Sequence, residues 1–160
     1  MDKHVLSLLV EDQPGVTSRI SGLFTRRGYN IESFSSGSTE IPGMTRITLV
    51  VNGDKEILEQ IQKQLKKLID VVTIKELKPE DSVYRELALI KVSTSDENRA
   101  SVLEVVNIFR GKVIDVATDC MIVEVTGEHR KLEAFIDLMK PHGIREIVRT
   151  GLAALGRKDN

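Results

Sequence analysis

The chain has 160 residues, with 23 Lys and Arg against 24 Asp and Glu and a formal charge of −1 at pH 7. That balance gives no electrostatic reason to expect nucleic acid or an anionic membrane as partner, and no apolar run approaches the roughly 20 residues that cross a bilayer. Apolar residues make up 41%, enough for a core, and the single cysteine, Cys120, excludes an internal disulfide and a cysteine metal cluster.

Met1-Asp2-Lys3-His4 leads directly into a strand pattern without a signal-peptide layout, so a cytoplasmic protein is expected. Aromatics are scarce, with no Trp, two Tyr and four Phe. The core must come from Ile, Leu and Val, which suits small sheets covered by helices.

Val5–Val10 reads as a strand, with Leu6, Leu8 and Val10 on one face. Gly15–Arg27 reads as a helix whose stripe is Val16, Ile20, Leu23 and Phe24, and Gly28 is placed to end it. A polar strand follows at Ile31–Ser38, then a turn at Ile41-Pro42-Gly43 and a strand at Thr45–Val51. Asn52-Gly53-Asp54 starts a second helix, with Ile57, Ile61, Leu65 and Leu68 as its stripe. Val71–Glu76 is a fourth strand. Lys78-Pro79-Glu80-Asp81-Ser82 then reads as a linker.

The second half repeats the order. Glu86–Val92 is a strand, and Thr94-Ser95-Asp96-Glu97 fits a capping box. The helix behind it carries Val102, Leu103, Val106 and Phe109 and ends at Arg110-Gly111. Strands at Val113–Val116 and Met121–Val125 follow. A last helix carries Leu132, Phe135, Ile136 and Met139 and stops at Pro141-His142-Gly143, before a strand at Ile144–Val148. The tail after Gly156 is expected to fray.

The expected fold is therefore α+β: two tandem βαββαβ ferredoxin-like sandwiches, at residues 1–78 and 79–160. Each has an antiparallel four-stranded sheet in the order 4-1-3-2, with two helices on one face. The other face and the edge strands are left to a partner.

Little here resembles catalytic machinery. His4, His129 and His142 fall on separate elements, none at metal-ligand spacing with another His, Cys or carboxylate. His4 fronts the first strand, and the other two are read as solvated turn residues. Cys120 has no nearby His and reads as a core thiol. No nucleophile elbow, phosphate-binding loop or dinucleotide fingerprint is present. Lys63, Lys66 and Lys67 read as a solvated helix face that Glu59 and Asp70 partly offset.

Asp12-Gln13-Pro14-Gly15 is different. In the plain reading, Pro14 and Gly15 shape a corner and Asp12 partly caps the helix. In the functional reading, the helix start offers free N–H groups and a favourable dipole to a small carboxylate, and Gly15 lets it approach closely. Asn30, past the other end of the same helix, offers a donor and an acceptor to a free amino acid. One chain cannot bring the two together. Two copies paired through Ser33–Thr39, an otherwise open edge, would let Gly15 of one face Asn30 of the other.

Asp12-Gln13-Pro14-Gly15 after a strand resembles the ACT domain, an amino-acid-binding regulatory module. Gly22-Leu23-Phe24-Thr25-Arg26-Arg27-Gly28-Tyr29-Asn30-Ile31-Glu32-Ser33 is similar to the signature of the small, regulatory subunit of acetolactate (acetohydroxyacid) synthase. The run Leu58–Val71, Phe109–Val116 and Arg149-Thr150-Gly151 fit the same family, so the resemblance covers nearly the whole chain. It implies a subunit without activity or cofactor of its own. Its large catalytic partner would carry thiamine diphosphate, Mg²⁺ and FAD. The small subunit would raise that partner's activity and confer feedback inhibition by valine or another branched-chain amino acid. The effector would lie between the N-terminal ACT domains of a homodimer. Asp12, Gln13, Pro14, Gly15 and Val16 of one chain would meet Asn30 and Ile31 of the other. Asp12 stands where many relatives have Asn, and as an anion it suits the ligand's ammonium.

Three other readings compete. A stand-alone amino-acid sensor would share the site but not the target. An RNA-recognition module shares the βαββαβ order but needs stacking aromatics, and Ile47, Leu49 and Val51 supply none. A small hydrolase lacks a catalytic grouping.

Overall fold

The computed structural model describes residues 2–159. Elements run β1 (Lys3–Glu11), α1 (Val16–Arg27), β2 (Ile31–Ser38), β3 (Met44–Asn52), α2 (Lys55–Lys66) and β4 (Val71–Glu76). After them come β5 (Ser82–Ser93), α3 (Arg99–Ile108), β6 (Lys112–Val116), β7 (Cys120–Gly127), α4 (His129–Met139), β8 (Ile144–Arg149) and β9 (Ala153–Gly156). The strand orders are β2-β3-β1-β4 and β6-β7-β5-β8, with β9 added on β5. Both four-strand sets are antiparallel and follow the expected 4-1-3-2 order.

By compactness the chain forms two units. One unit runs to Tyr84 and takes back the chain from Leu152 onward. The other is Arg85–Gly151. The expected linker is a single 3₁₀ turn, Pro79–Asp81, that runs directly into β5.

In the first unit the apolar periodicities do what their spacing demands. Leu6, Leu8 and Val10 of β1 and Ile47, Leu49 and Val51 of β3 meet Val16, Ile20, Leu23 and Phe24 of α1 and Leu58, Ile61 and Leu65 of α2 in one core. Each large side chain so buried contributes about 1.5–3 kcal/mol of transfer free energy. Gly28 ends α1 in the left-handed region, φ 69°, and its N–H reaches the carbonyls of Phe24 and Thr25. Asp54 caps α2, its carboxylate accepting the Ile57 N–H at 2.9 Å.

The opposite sheet face is not wholly free, contrary to expectation. Val5 and Val50 are buried with Leu77, Leu152 and Ala154, and Tyr84 packs beside them. Short β9 thus brings apolar cover back from the chain's end. The Leu152 amide donates to Ser33 Oγ at 3.0 Å and the Arg157 amide to the Asp81 carbonyl at 2.8 Å. The tail is tied down at Arg157, where fraying was expected.

The second unit buries Ala88, Ile90, Val92, Met121, Val123 and Val125 under Val102 and Val106 of α3 and Leu132, Phe135, Ile136 and Met139 of α4. Leu103, expected in the α3 stripe, is 36% exposed. The capping box is also absent. Asn98 starts α3 without a side-chain cap bond. Its Oδ1 instead accepts from the Ser95 amide at 2.7 Å, and its Nδ2 donates to the Ser93 carbonyl at 3.2 Å. That local ring outcompetes the cap and delays the helix.

Candidate functional site

β1 ends at Glu11, and the Asp12 amide donates to the Gly43 carbonyl of the β2–β3 hairpin at 2.9 Å. The chain then turns through Gln13 and Pro14 to Gly15, which starts α1 at φ 84°, a conformation that disfavours any side chain. No side chain caps the helix, so Asp12 does not act as the partial cap, and no acid lies in the first turn. The first intrahelical bond runs from the Arg19 amide to the Gly15 carbonyl at 2.9 Å. The Val16 amide makes only a 3.4 Å contact with the Gln13 carbonyl. The helix start therefore presents donors and a positive dipole end to the surface.

Asp12, Gln13, Pro14 and Gly15 are exposed. Val16 is buried in the first core, so its side chain does not face the corner and only its backbone can serve there. Asn30 is exposed just beyond the Gly28 cap, and Ile31 packs partly against the same core while pairing with Val51. The two groups thus sit at opposite ends of α1, whose 12 residues span about 18 Å. One protomer does not unite them. β2, which begins at Ile31, is the outer strand of its sheet, and its far edge has no partner strand among the described residues.

Sequence reasoning missed Arg19. Its Nε donates to Asp70 Oδ2 at 2.8 Å, its Nη2 lies 2.6 Å from the same oxygen, and Nη2 also reaches toward the Pro14 carbonyl at 3.5 Å. A Cβ on Gly15 would stand 3.0 Å from Arg19 Nη1. Long helical side chains lean toward the N-terminus, so an arginine four residues past a helix-starting glycine could have been read as covering it. Asp70 was read as offsetting the lysine face of α2. It is instead 6% exposed, holds Arg19, and its carbonyl takes the Glu11 amide at 2.9 Å.

Other polar clusters bind protein to protein. Arg149 bonds Glu86 through Nε at 2.6 Å and Nη2 at 3.1 Å, and also Glu133. These hydrogen bonds, Glu86 first, make Arg149 hold its proton more firmly than usual, and the Arg149 hydrogen bond holds the Glu133 carboxyl below its ordinary range. His129 is exposed, as expected, though it opens α4 and lies 3.3 Å from Arg149 through Nδ1, whereas His142 is half-buried, 3.3 Å from Asn98. His4, within β1, meets Glu76 at 3.0 Å. Cys120 is half-buried and in no disulfide, and so is not the core thiol expected. Among the described residues no three of His, Cys, Asp and Glu converge where they could hold a metal ion, and no helix is long and apolar enough to cross a membrane.

A split-βαβ sandwich with a glycine-started helix and an open polar edge strand defines the class, an ACT-type regulatory module. Comparison with known proteins agrees. Residues 6–73 match the family described as AHAS small subunit-like ACT domain, and residues 85–158 match the small subunit of acetolactate synthase. The acetolactate synthase small subunit of Mycolicibacterium smegmatis is 50% identical over 96% of this chain and 91% of its own length. That of Bacillus subtilis is 46% identical over 97% and 91%. The crystal structure of the small subunit from Thermotoga maritima covers both chains completely, at 43% identity and a TM-score of 0.93. The chain belongs to the acetolactate synthase small-subunit family, as a regulatory member and not a catalytic one.

Proposed function

We propose that this chain activates an acetolactate synthase catalytic subunit and makes it sensitive to valine or a related branched-chain amino acid. Thiamine diphosphate, Mg²⁺ and FAD belong to the catalytic subunit in this reading. The small subunit contributes sensing and docking. Two copies pair through their β2 edges. The Asp12–Val16 corner of one then faces Asn30 and Ile31 of the other, and the effector lies between them. Binding favours one arrangement of the dimer, and that preference is the regulatory signal.

The observation that carries this is the start of α1: a left-handed glycine, no side-chain cap and no acid in the first turn, beside an unpaired edge strand. Backbone donors there suit a carboxylate, and the Asn30 amide of the second protomer suits the ligand's other polar end. An effector acting at micromolar to millimolar levels needs about 4–8 kcal/mol. A few charge-assisted hydrogen bonds and one buried isopropyl group supply it. Feedback needs a coupling of only about 1–3 kcal/mol.

Reconstitution with a catalytic subunit tests the reading. Added small subunit should raise the rate, and valine should lower the raised rate toward that of the catalytic subunit alone. No activation, or activation indifferent to valine, leucine and isoleucine, overturns it. Sedimentation of the small subunit as a monomer at all concentrations overturns the two-protomer site.

A further inference from the structure

We infer that Arg19 reads the carboxylate of the effector and that Asp70 presents it for that purpose; the inference rests on the site proposed above. The guanidinium is fixed from one side only. Nε and Nη2 both engage Oδ2 of nearly buried Asp70, and Nη2 points on toward the Pro14 carbonyl. Nη1 makes no hydrogen bond to any described residue and stands over Gly15, 3.0 Å from where a Cβ would be.

The ion pair with Asp70 occupies Nε and Nη2, and the lean of a helical side chain toward the N-terminus sets Nη1 over the corner. Asp70 holds the arginine by two of its nitrogens and leaves the third aimed across the helix start. Glycine at 15 satisfies the positive φ and also leaves room for that nitrogen. The corner thus combines neutral backbone donors with a fixed cation. That pairing selects a free carboxylate over its amide, because the charge-assisted bond is the stronger one. Arg19 is a specificity-determining residue and Asp70 a positioning residue. Asp12, on the same exposed loop, remains for the ligand's ammonium.

The test compares L-valine with L-valinamide by calorimetry on the intact small subunit. The wild-type protein should prefer valine by roughly ten- to a hundredfold. Arg19→Gln should lose most of its valine affinity while binding valinamide nearly as before, so that the ratio approaches one. Asp70→Asn should lower the ratio less. An unchanged ratio in Arg19→Gln, or equal losses for both ligands, overturns the inference and leaves the site itself standing. A wild-type protein that binds no branched-chain amino acid overturns the site. If Arg19→Gln does not fold, nitrogen NMR of the wild-type guanidinium decides. Arg19 resonances should move on saturation with valine and stay in place with valinamide; resonances that stay in place with valine overturn the inference.

Discussion

At the end of β1 the Asp12 amide donates to the Gly43 carbonyl, and at the end of β5 the Thr94 amide donates to that of Asp119, both at 2.9 Å. From these matching points the two units diverge. In the first, glycine starts the helix, nothing caps it, and Arg19 leans over the gap from its hold on Asp70. In the second, the corner is filled by its own side chains. Asn98 closes onto Ser95 and Ser93. Arg99 reaches Asp96 and the Thr118 carbonyl, and Arg145 bonds Ser93 and Asp119. The same topology therefore yields an open seat and a sealed one. Side-chain choice over a few residues makes the difference: neither helix start is capped, but the second corner is crowded by Asn98, Arg99 and Arg145, whereas the first is left exposed.

The sharpest way to break this contrast is Gly15→Asp. Its carboxylate would sit under Arg19 Nη1 and occupy the anion's place, at a position whose φ of 84° already strains any side chain. In a reconstituted holoenzyme, half-inhibition should move to roughly a hundredfold more valine, about 2.7 kcal/mol, with activation kept. Unaltered valine sensitivity would assign the seat elsewhere. Sealing is tested from the other side by Asn98→Ala. Removing its bonds to Ser95 and Ser93 should cost about 2 kcal/mol in denaturant unfolding and leave valine affinity untouched. A change in valine affinity would show that the second corner also senses.

Smaller effects refine the sealed corner. Thr94 is only 5% exposed and its hydroxyl has no hydrogen-bond partner. Thr94→Val keeps the shape without the stranded oxygen, and should stabilise the chain by about 1 kcal/mol, read as a higher denaturation midpoint. A loss of stability would reveal a partner for that hydroxyl. The smallest effect is acidic. The Arg145 hydrogen bond and charge hold the Asp119 carboxyl below its ordinary 3.8, and Arg149 holds Glu133 below 4.5. Because both are lowered on folding, the stability they contribute is complete above the ordinary carboxylate range and disappears as pH falls through the depressed folded values. Melting temperature should be flat near neutrality and drop below about pH 4. Asp119→Asn should make that drop shallower, and an identical acid limb would remove Asp119 from the account.

The fold was legible because its signals are periodic and dense. The Val16, Ile20, Leu23 and Phe24 stripe and the alternation in Thr45–Val51 admit one element type each, and six such elements in that order admit few topologies. β9 was not legible. Ala153–Gly156 is short and built mainly of small residues, and its burial is decided by Val5, Val50 and Leu77, far away in sequence. The capping box failed because Asn98 offered Ser95 a better partner than the helix start did. At the candidate site, local chemistry alone singled out Asp12–Gly15 and Asn30 as candidates. Arg19 was not weighed because its meaning depends on Asp70, 51 residues on.

The return of Leu152–Gly156 to the first unit bears on how the protein is made. During synthesis the patch at Val5 and Val50 cannot finish its packing until Leu152 and Ala154, far downstream, have emerged from the ribosome. The intervening unit has its own core and can fold in that interval. A premature stop before Leu152 would therefore damage the packing of β1 and β3, far upstream of the break.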